Sequence, residues 1–298
     1  MRRRDFMRKG SAAAAVGMTG LAGCSDILGS DGDNTAQIGD VESWLVAPSV
    51  VSSELDHYSF DARSPSALAS TVSEPLLERN WGEDLPFGSA TARDIDFRIN
   101  ASPGRSSFTV YVGSFDADWI QTQVRNSEFE RVRSIDDVTV YERSENRRGI
   151  AVSSDVIIET NVEGFDTEAS RIAGNLIDSE NGDVTRYTDA DSDMQQLIDT
   201  LPGGHGFSGR TFERREQNNP ESGILERQVA EGRTWELDGE VTNVTIALVF
   251  LSEADVVERD IQAYIEESNA LPNYTSRPSY DIDGRTVTIE GNTTAWWY

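Results

Sequence analysis

The chain has 298 residues, with 26 lysines and arginines against 52 aspartates and glutamates, a formal charge of −26, two histidines and a single cysteine. That balance repels nucleic acid and anionic lipid and lacks the basic footprint of a nucleic-acid binder. One cysteine forms no internal disulfide, and with two histidines it is too little for a zinc set; aromatic and β-branched residues recur in ordered patterns, so the chain reads as folded and not as an acidic coil.

The first stretch, MRRRDFMRKGSAAAAVGMTGLAGC, has a charged start at Arg2, Arg3, Arg4, Arg8 and Lys9, an Ala-rich run from Gly10 to Gly20, then Leu21-Ala22-Gly23-Cys24. This is the order of a signal peptide. Its apolar run is too short and too rich in Gly to cross roughly 30 Å of hydrocarbon, which takes about 20 apolar residues. Arg3-Arg4-Asp5-Phe6-Met7-Arg8 resembles the twin-arginine export signal, with Arg2 where that family usually has Ser or Thr, and the resemblance implies export of an already folded protein. Leu21-Ala22-Gly23-Cys24 resembles the lipobox of secreted lipoproteins, which implies a diacylglyceryl group on Cys24 and cleavage just before it. The alternative is a free cysteine near an ordinary cleavage site. Two acyl chains, at about 0.8 kcal/mol per buried methylene, hold a protein on a membrane where one chain binds weakly.

Cleavage there leaves 275 residues. Five of the 26 basic residues and one of the 52 acidic ones lie in the leader, so 21 remain against 51, a charge of −30, with no lysine after Lys9. An acid-rich, lysine-free, arginine-containing chain resembles the proteins of extreme halophiles. At about 1 M salt the Debye length is roughly 3 Å, which screens repulsion among the carboxylates. Leader, tether and charge together resemble the haloarchaeal class of twin-arginine-exported lipoproteins of unknown function.

Residues 24–40 have no sustained periodicity and read as a flexible acidic tether, of which the sixteen from Ser25 to Asp40 reach at most about 50 Å stretched. The body is expected over 41–298. His57 to Phe60 reads as a strand, and Pro65 to Asn80 as a helix capped at Ser64. Asp94 to Asn100 and Phe108 to Phe115 alternate like an antiparallel pair around Pro103-Gly104. Asp116 caps a helix through WIQTQV. Val138 to Glu142 and Gly149 to Thr160 read as strands, the second turning at Ser153-Ser154-Asp155; Ala169, Ile172, Ala173, Leu176 and Ile177 form one helical face. Arg233 to Asp238 and Thr245 to Leu251 follow as strands, then a helix from Glu253 to Ser268 and a hairpin bending at Asp283-Gly284. The reading is α+β, a mainly antiparallel sheet with helices on one face. Two strand, strand, helix, hairpin modules dividing near 202–232 stay open beside one continuous body.

Candidate chemistry is sparse. Asp189, Asp191 and Asp193 alternate like calcium-loop ligands, but Met194 stands where that loop needs Gly and Thr200 where it needs Glu, so a helix beginning in acids is the better reading. His205 and Ser208 share a Gly-rich stretch that is no nucleophile elbow and reads as a loop before a strand. Without a lysine in the mature chain, neither a Schiff base nor a lysine-bearing phosphate loop is possible. Arg147-Arg148 and Arg214-Arg215 are read as pairing with nearby acids. Four sequons, at Asn100, Asn243, Asn273 and Asn292, suit an exported protein. The closing Ala295-Trp296-Trp297-Tyr298 completes a strand or forms an aromatic contact. No catalytic residue, metal site or cofactor is assigned. The expected function is that of a non-catalytic lipoprotein held by lipid on the extracellular face of the cell membrane, working through a surface protein or envelope component. The alternatives are a solute-binding lipoprotein of a membrane transporter and, behind it, a secreted carboxylate-dependent hydrolase.

Overall fold

The computed structural model describes residues 38–73, 84, 85, 88–272 and 274–294. Arg3, Arg4, Phe6, Cys24, most of the tether, Asn273 and the last four residues lie outside these. Thr35–Tyr298 is one compact unit.

In chain order come α1 (Ile38–Glu42), α2 (Pro48–Val51), β1 (Ser59–Arg63), α3 (Pro65–Leu68) and a small hairpin of β2 (Asp84–Leu85) and β3 (Gly88–Ser89). Next are β4 (Ile95–Ser102), β5 (Ser107–Gly113), α4 (Ala117–Asn126), β6 (Glu130–Ile135), β7 (Val138–Arg143), β8 (Arg148–Val152), β9 (Val156–Asn161) and α5 (Ala169–Glu180). The chain continues through α6 (Tyr187–Ala190), α7 (Ser192–Thr200), β10 (Gly206–Thr211), β11 (Gln228–Asp238), β12 (Val241–Phe250), α8 (Glu258–Glu267), β13 (Ser279–Asp283) and β14 (Thr286–Thr293). Twelve strands form one sheet in the order β13-β14-β12-β11-β10-β1-β4-β5-β9-β8-β7-β6, and its pairs are antiparallel. This is the α+β, antiparallel architecture expected from the alternation. Both strand, strand, helix, hairpin runs exist, β4-β5-α4-β6-β7 and β11-β12-α8-β13-β14, and both belong to the same sheet.

The helices pack on both faces, not on one. The register sets Phe60 beside Gly209, Gly232 and Ala247, and Ala62 beside Ile99, Val110 and Ile158. That face meets Ala173 and Leu176 of α5 and Met194 and Leu197 of α7. On the other face Ile120 and Val124 of α4 cover Tyr111, Tyr141, Ile150 and Ile157, while Ile261 and Tyr264 of α8 cover Val244, Ile246, Leu248 and Ile289. The reason lies in the strands: β12 buries both Ile246-Leu248-Phe250 and Ala247-Val249, so each side needs a cover.

Other boundaries shift for local reasons. Of the helix expected over 65–80, residues 74–80 lie outside the described residues; the described part is helical over Pro65–Leu68, and Ser70 Oγ then turns back to the Ala67 carbonyl at 2.8 Å, the competition with helix that serine offers. The helix placed from Glu253 to Ser268 is a 3-10 turn at Glu253–Asp255, two extended residues, Val256 and Val257, and an α-helix only from Glu258. The Gly-rich stretch from Gly203 to Gly209, read as the loop ahead of a strand, is strand from Gly206 onward, where β10 begins. A Cβ on Gly209 would lie 3.2 Å from Leu197 Cδ2, and one on Gly232 3.0 Å from Leu197 Cδ1 and 2.8 Å from Leu201 Cδ1. These glycines let α7 approach the sheet.

At the junction of the two halves, where β1 pairs with β10, a buried relay of hydrogen bonds runs through four residues. The Tyr58 amide donates to Tyr187 Oη (3.0 Å), Tyr187 Oη donates to Thr211 Oγ1 (2.7 Å), and Thr211 donates to Asp191 Oδ2 (3.1 Å). The other Asp191 oxygen caps α7, accepting from the amides of Asp193 (2.8 Å) and Met194 (3.1 Å). Tyr58 Oη donates to the Val46 carbonyl at 2.7 Å. Burial pushes the phenol of Tyr187 up to about 12, against its hydrogen bonds with Thr211 and Tyr58, and burial also raises Tyr58 well above its usual value.

Two outcomes follow from this packing. A tyrosine whose folded pKa is raised contributes stability that is fully present below about pH 10 and is lost as pH climbs toward 12. Tyr187→Phe should cost about 1–3 kcal/mol at neutral pH by leaving the Tyr58 amide without an acceptor, and should flatten the loss of stability above pH 10 in urea titrations at fixed salt. Gly232→Val should lower stability by about 1–3 kcal/mol in the same measurement, because Leu197 and Leu201 occupy the space.

Candidate functional site

Between α4 and α8 the second face has a central strip, formed by β4, β1, β10 and β11, that neither of these helices covers; at one end of the strip Leu68 of α3 packs on Trp235 and Leu237 of β11. Its side chains are polar because the alternation that buries Phe60, Ala62, Ile99 and Phe207 turns Asp61, Arg63, Arg98, Asn100 and Ser208 the other way. Where the strip meets α8 there is a cleft of about 490 Å³. Ser208 and Arg210 of β10 with Glu231 and Arg233 of β11 form its polar floor; Ile246 and Leu248 of β12, Tyr264, Ala270 and Ile224 form an apolar side, and Arg215 closes one end. A second cavity, near Phe250 and Ile261, holds only about 130 Å³.

The arginines are held in place. Arg210 donates from Nε (2.8 Å) and Nη2 to Glu231 Oε1. Arg215 donates from Nη1 to the Gly223 carbonyl (2.9 Å) and to Gln228 Oε1 (2.7 Å), its Nη2 lies 3.5 Å from Glu231 Oε2, and its guanidinium sits 4.1 Å from the Phe212 ring centroid. Gln228 Nε2 adds a bond to Glu231 Oε2 at 3.1 Å. Arg233 reaches the Ala270 carbonyl at 3.5 Å. Burial lowers the Arg215 pKa, with Glu231 opposing, and a guanidinium stays charged through such a shift. Burial, then Glu231, raises the Tyr264 phenol, which keeps it a neutral donor. The cleft wall depends on the loop from Phe212 to Arg227: Gly223 takes φ +74°, and the Asn269 amide ties the segment after α8 to the Glu221 carbonyl at 3.0 Å.

The other residues singled out in the sequence have local tasks. Asp191 is a helix cap and Asp193 pairs with Arg285, so the aspartate alternation is a helix start, and among the described residues no cluster of acids, histidines or cysteines has the makings of a metal site. His205 is buried in the bend before β10, where Nδ1 accepts from the Leu237 amide at 2.9 Å. His57 lies at the opposite end of β1, about 20 Å away at roughly 3.3 Å per residue. Arg147 donates to the carbonyls of Phe165 and Thr167 (3.1 Å), Arg148 lies 3.9 Å from Glu159, and Arg214 pairs with Glu216. Of the sequons, Asn243 is exposed on β12; Asn100 accepts from Thr109 Oγ1 at 2.7 Å, and Asn292 accepts from Thr275 Oγ1. Arg210 and Arg233 were not singled out in the sequence. Their only signal is the repeated Gly-Arg-Thr of Gly209 to Thr211 and Gly232 to Thr234, which sets two arginines on one face of neighbouring strands.

No family model and no curated protein matches this chain. Solved structures of TP0453 bear a distant likeness to it. Crystal form IV superposes with a TM-score of 0.46 at 11% identity over 84% of this chain and 94% of that one, and crystal form I with 0.44 at 10% identity over 82% and 91%.

Arg215→Met should loosen the cleft wall, since it removes the bonds to Gly223, Gln228 and Glu231 together. Amide hydrogen exchange should rise in residues 219–224 while β7 to β9 keep their protection; unchanged exchange in 219–224 would show that the wall does not depend on this side chain.

Proposed function

We propose that the protein is a membrane-anchored extracellular lipoprotein whose body holds a ligand or partner without transforming it. The observation that carries the reading is the cleft: three guanidinium groups fixed by a carboxylate, carbonyls and an aromatic ring, facing an apolar wall, which is a geometry for binding. Two groups singled out in the sequence for their chemistry are engaged in structure. His205 Nδ1 receives a main-chain amide, and Asp191 receives two amides and a hydroxyl.

The anchor rests on the leader. The lipobox places the lipid at Cys24, the tether spaces the body from the bilayer, and the acid-rich composition suits a saline exterior. Among the described residues no helix is long and apolar enough to cross a membrane. Service as the solute-binding partner of a transporter is the second reading, favoured by the cleft itself. The usual pair of parallel-sheet lobes is not the architecture here, where one antiparallel sheet runs through the body.

Expression in a haloarchaeal host provides the test. Mass spectrometry of the membrane fraction should find Cys24 as the first residue, carrying a diacylglyceryl thioether, and Cys24→Ser should move the protein from the membrane fraction into the medium or leave it as uncleaved precursor. An unacylated, cytosolic wild-type chain would end the proposal.

A further inference from the structure

We infer that the cleft between β10, β11 and α8 is a binding site for a small organic anion, a carboxylate carrying an apolar body. The inference rests on the reading of the protein as a binder and names what is bound. Acids outnumber bases two to one in the chain as a whole, yet the cleft is lined by Arg210, Arg215 and Arg233 and by the single acid Glu231. That carboxylate is saturated by Arg210, Arg215 and Gln228. The next acid along the floor, Asp61, stands two strands from Arg233 in the register and has Arg63 3.7 Å away. The site therefore keeps a local positive surplus inside an acidic body. Arg210 gives Nε and one hydrogen of Nη2 to Glu231, which leaves the Nη1–Nη2 edge, one hydrogen from each nitrogen, for an incoming oxygen pair.

The apolar side decides what kind of anion. Ile224 and Ala270 supply its solvent-reachable apolar surface, and Ile246 and Leu248, side by side with Arg233 and Glu231 and otherwise buried under α8, close its base. A bare inorganic ion would satisfy the arginines and leave that wall wet, whereas a neutral apolar molecule would cover the wall and desolvate the arginines without pairing them. A carboxylate with a short hydrocarbon body does both. In strong brine long-range attraction is screened and chloride competes for the arginines, so contact hydrogen bonds and apolar burial carry the selectivity.

Titration calorimetry of the full chain in about 1 M KCl, with octanoate, acetate and 1-octanol as probes, tests this. Octanoate should bind saturably at one site per chain, with acetate and 1-octanol giving no saturable heat. Arg210→Gln should weaken octanoate about tenfold or more, and Arg210→Lys, which keeps the charge but loses the planar fork, should fall between the two. Arg210 is half exposed, so both variants should keep the wild-type melting temperature, which serves as the control for folding. Absence of octanoate binding, equal binding of 1-octanol, or unchanged affinity in a folded Arg210→Gln would overturn the assignment. Mass analysis of the recovered probe separates this from the broader reading: chemical conversion of octanoate would refute a non-catalytic protein while leaving the cleft occupied, and a silent titration would refute the ligand class alone.

Discussion

The hydroxyl relay from Tyr58 through Tyr187 and Thr211 to Asp191 is the constraint on which the rest of the sheet depends. β1 and β10 are far apart in the chain, with six strands of the same sheet between them, so closing their pair costs loop entropy that no local turn offsets. Each donor in the relay has one acceptor and the last acceptor is a carboxylate, so the buried polar groups are satisfied in a single direction. The same carboxylate starts α7, and α7 presses Leu197 and Leu201 onto Gly209 and Gly232. Those glycines belong to the strands that carry Arg210 and Arg233 on the reverse side. The floor of the cleft is thus located by an interaction on the opposite face of the sheet.

Arginine without lysine suits both halves of this design. On the surface, Arg105 and Arg277 reach Glu163 and Glu266 in exposed pairs whose worth is small and falls with salt. In the cleft wall Arg215 meets a main-chain carbonyl, a side-chain amide, a carboxylate and the face of Phe212 at once. A compact ammonium has three donors and no planar face to stack, so it does not reproduce that set. Short-range, directional contacts of this kind survive brine that erases longer-range attraction.

What was legible in the sequence was local. The β4-β5 pair, the Asp116 cap with its bond from the Trp119 amide at 3.0 Å, the Ala169 to Ile177 stripe and the bend at Gly284, φ +56°, all follow from spacing within a few residues. β10 was misread because its glycines, which suggest a loop, are there for close approach of a helix, and that helix cannot be seen in six residues of strand. Edge strand β6, Glu130 to Ile135, lacks apolar alternation: five of its six residues are exposed, and only Ile135 packs on the core. The site was less legible than the fold. Its lining comes from four neighbouring strands, β1, β10, β11 and β12, from α8 and the segment after it, and from one long loop, and only the order of strands in the sheet brings Arg210, Arg233 and Leu248 together.

The position of the cleft follows from an asymmetry between the halves. In the C-terminal half β12 pairs directly with β14, and α8 covers both from two strands beyond the β1–β10 seam. In the N-terminal half the β8-β9 hairpin is inserted between β5 and β7, and α4 packs over Tyr111, Ile157, Ile150 and Tyr141, centred farther from the seam. The strip between the two helices is therefore four strands wide, roughly 19 Å at about 4.8 Å per strand, more than one helix diameter of about 10 Å. Side chains beneath a helix must be apolar, and those in the strip are released from that demand; β1, β4 and β10 accordingly turn mainly polar residues to this face, and β11 carries Glu231 and Arg233 before Trp235 and Leu237 meet Leu68 of α3, whereas β12 is apolar on both sides. At the α8 border the two regimes meet within one strand spacing, Glu231 beside Leu248 and Arg233 beside Ile246. A boundary of that kind offers guanidinium and hydrocarbon to the same molecule, and it arises from where the second helix ends, with no residue needed that the fold does not already place there.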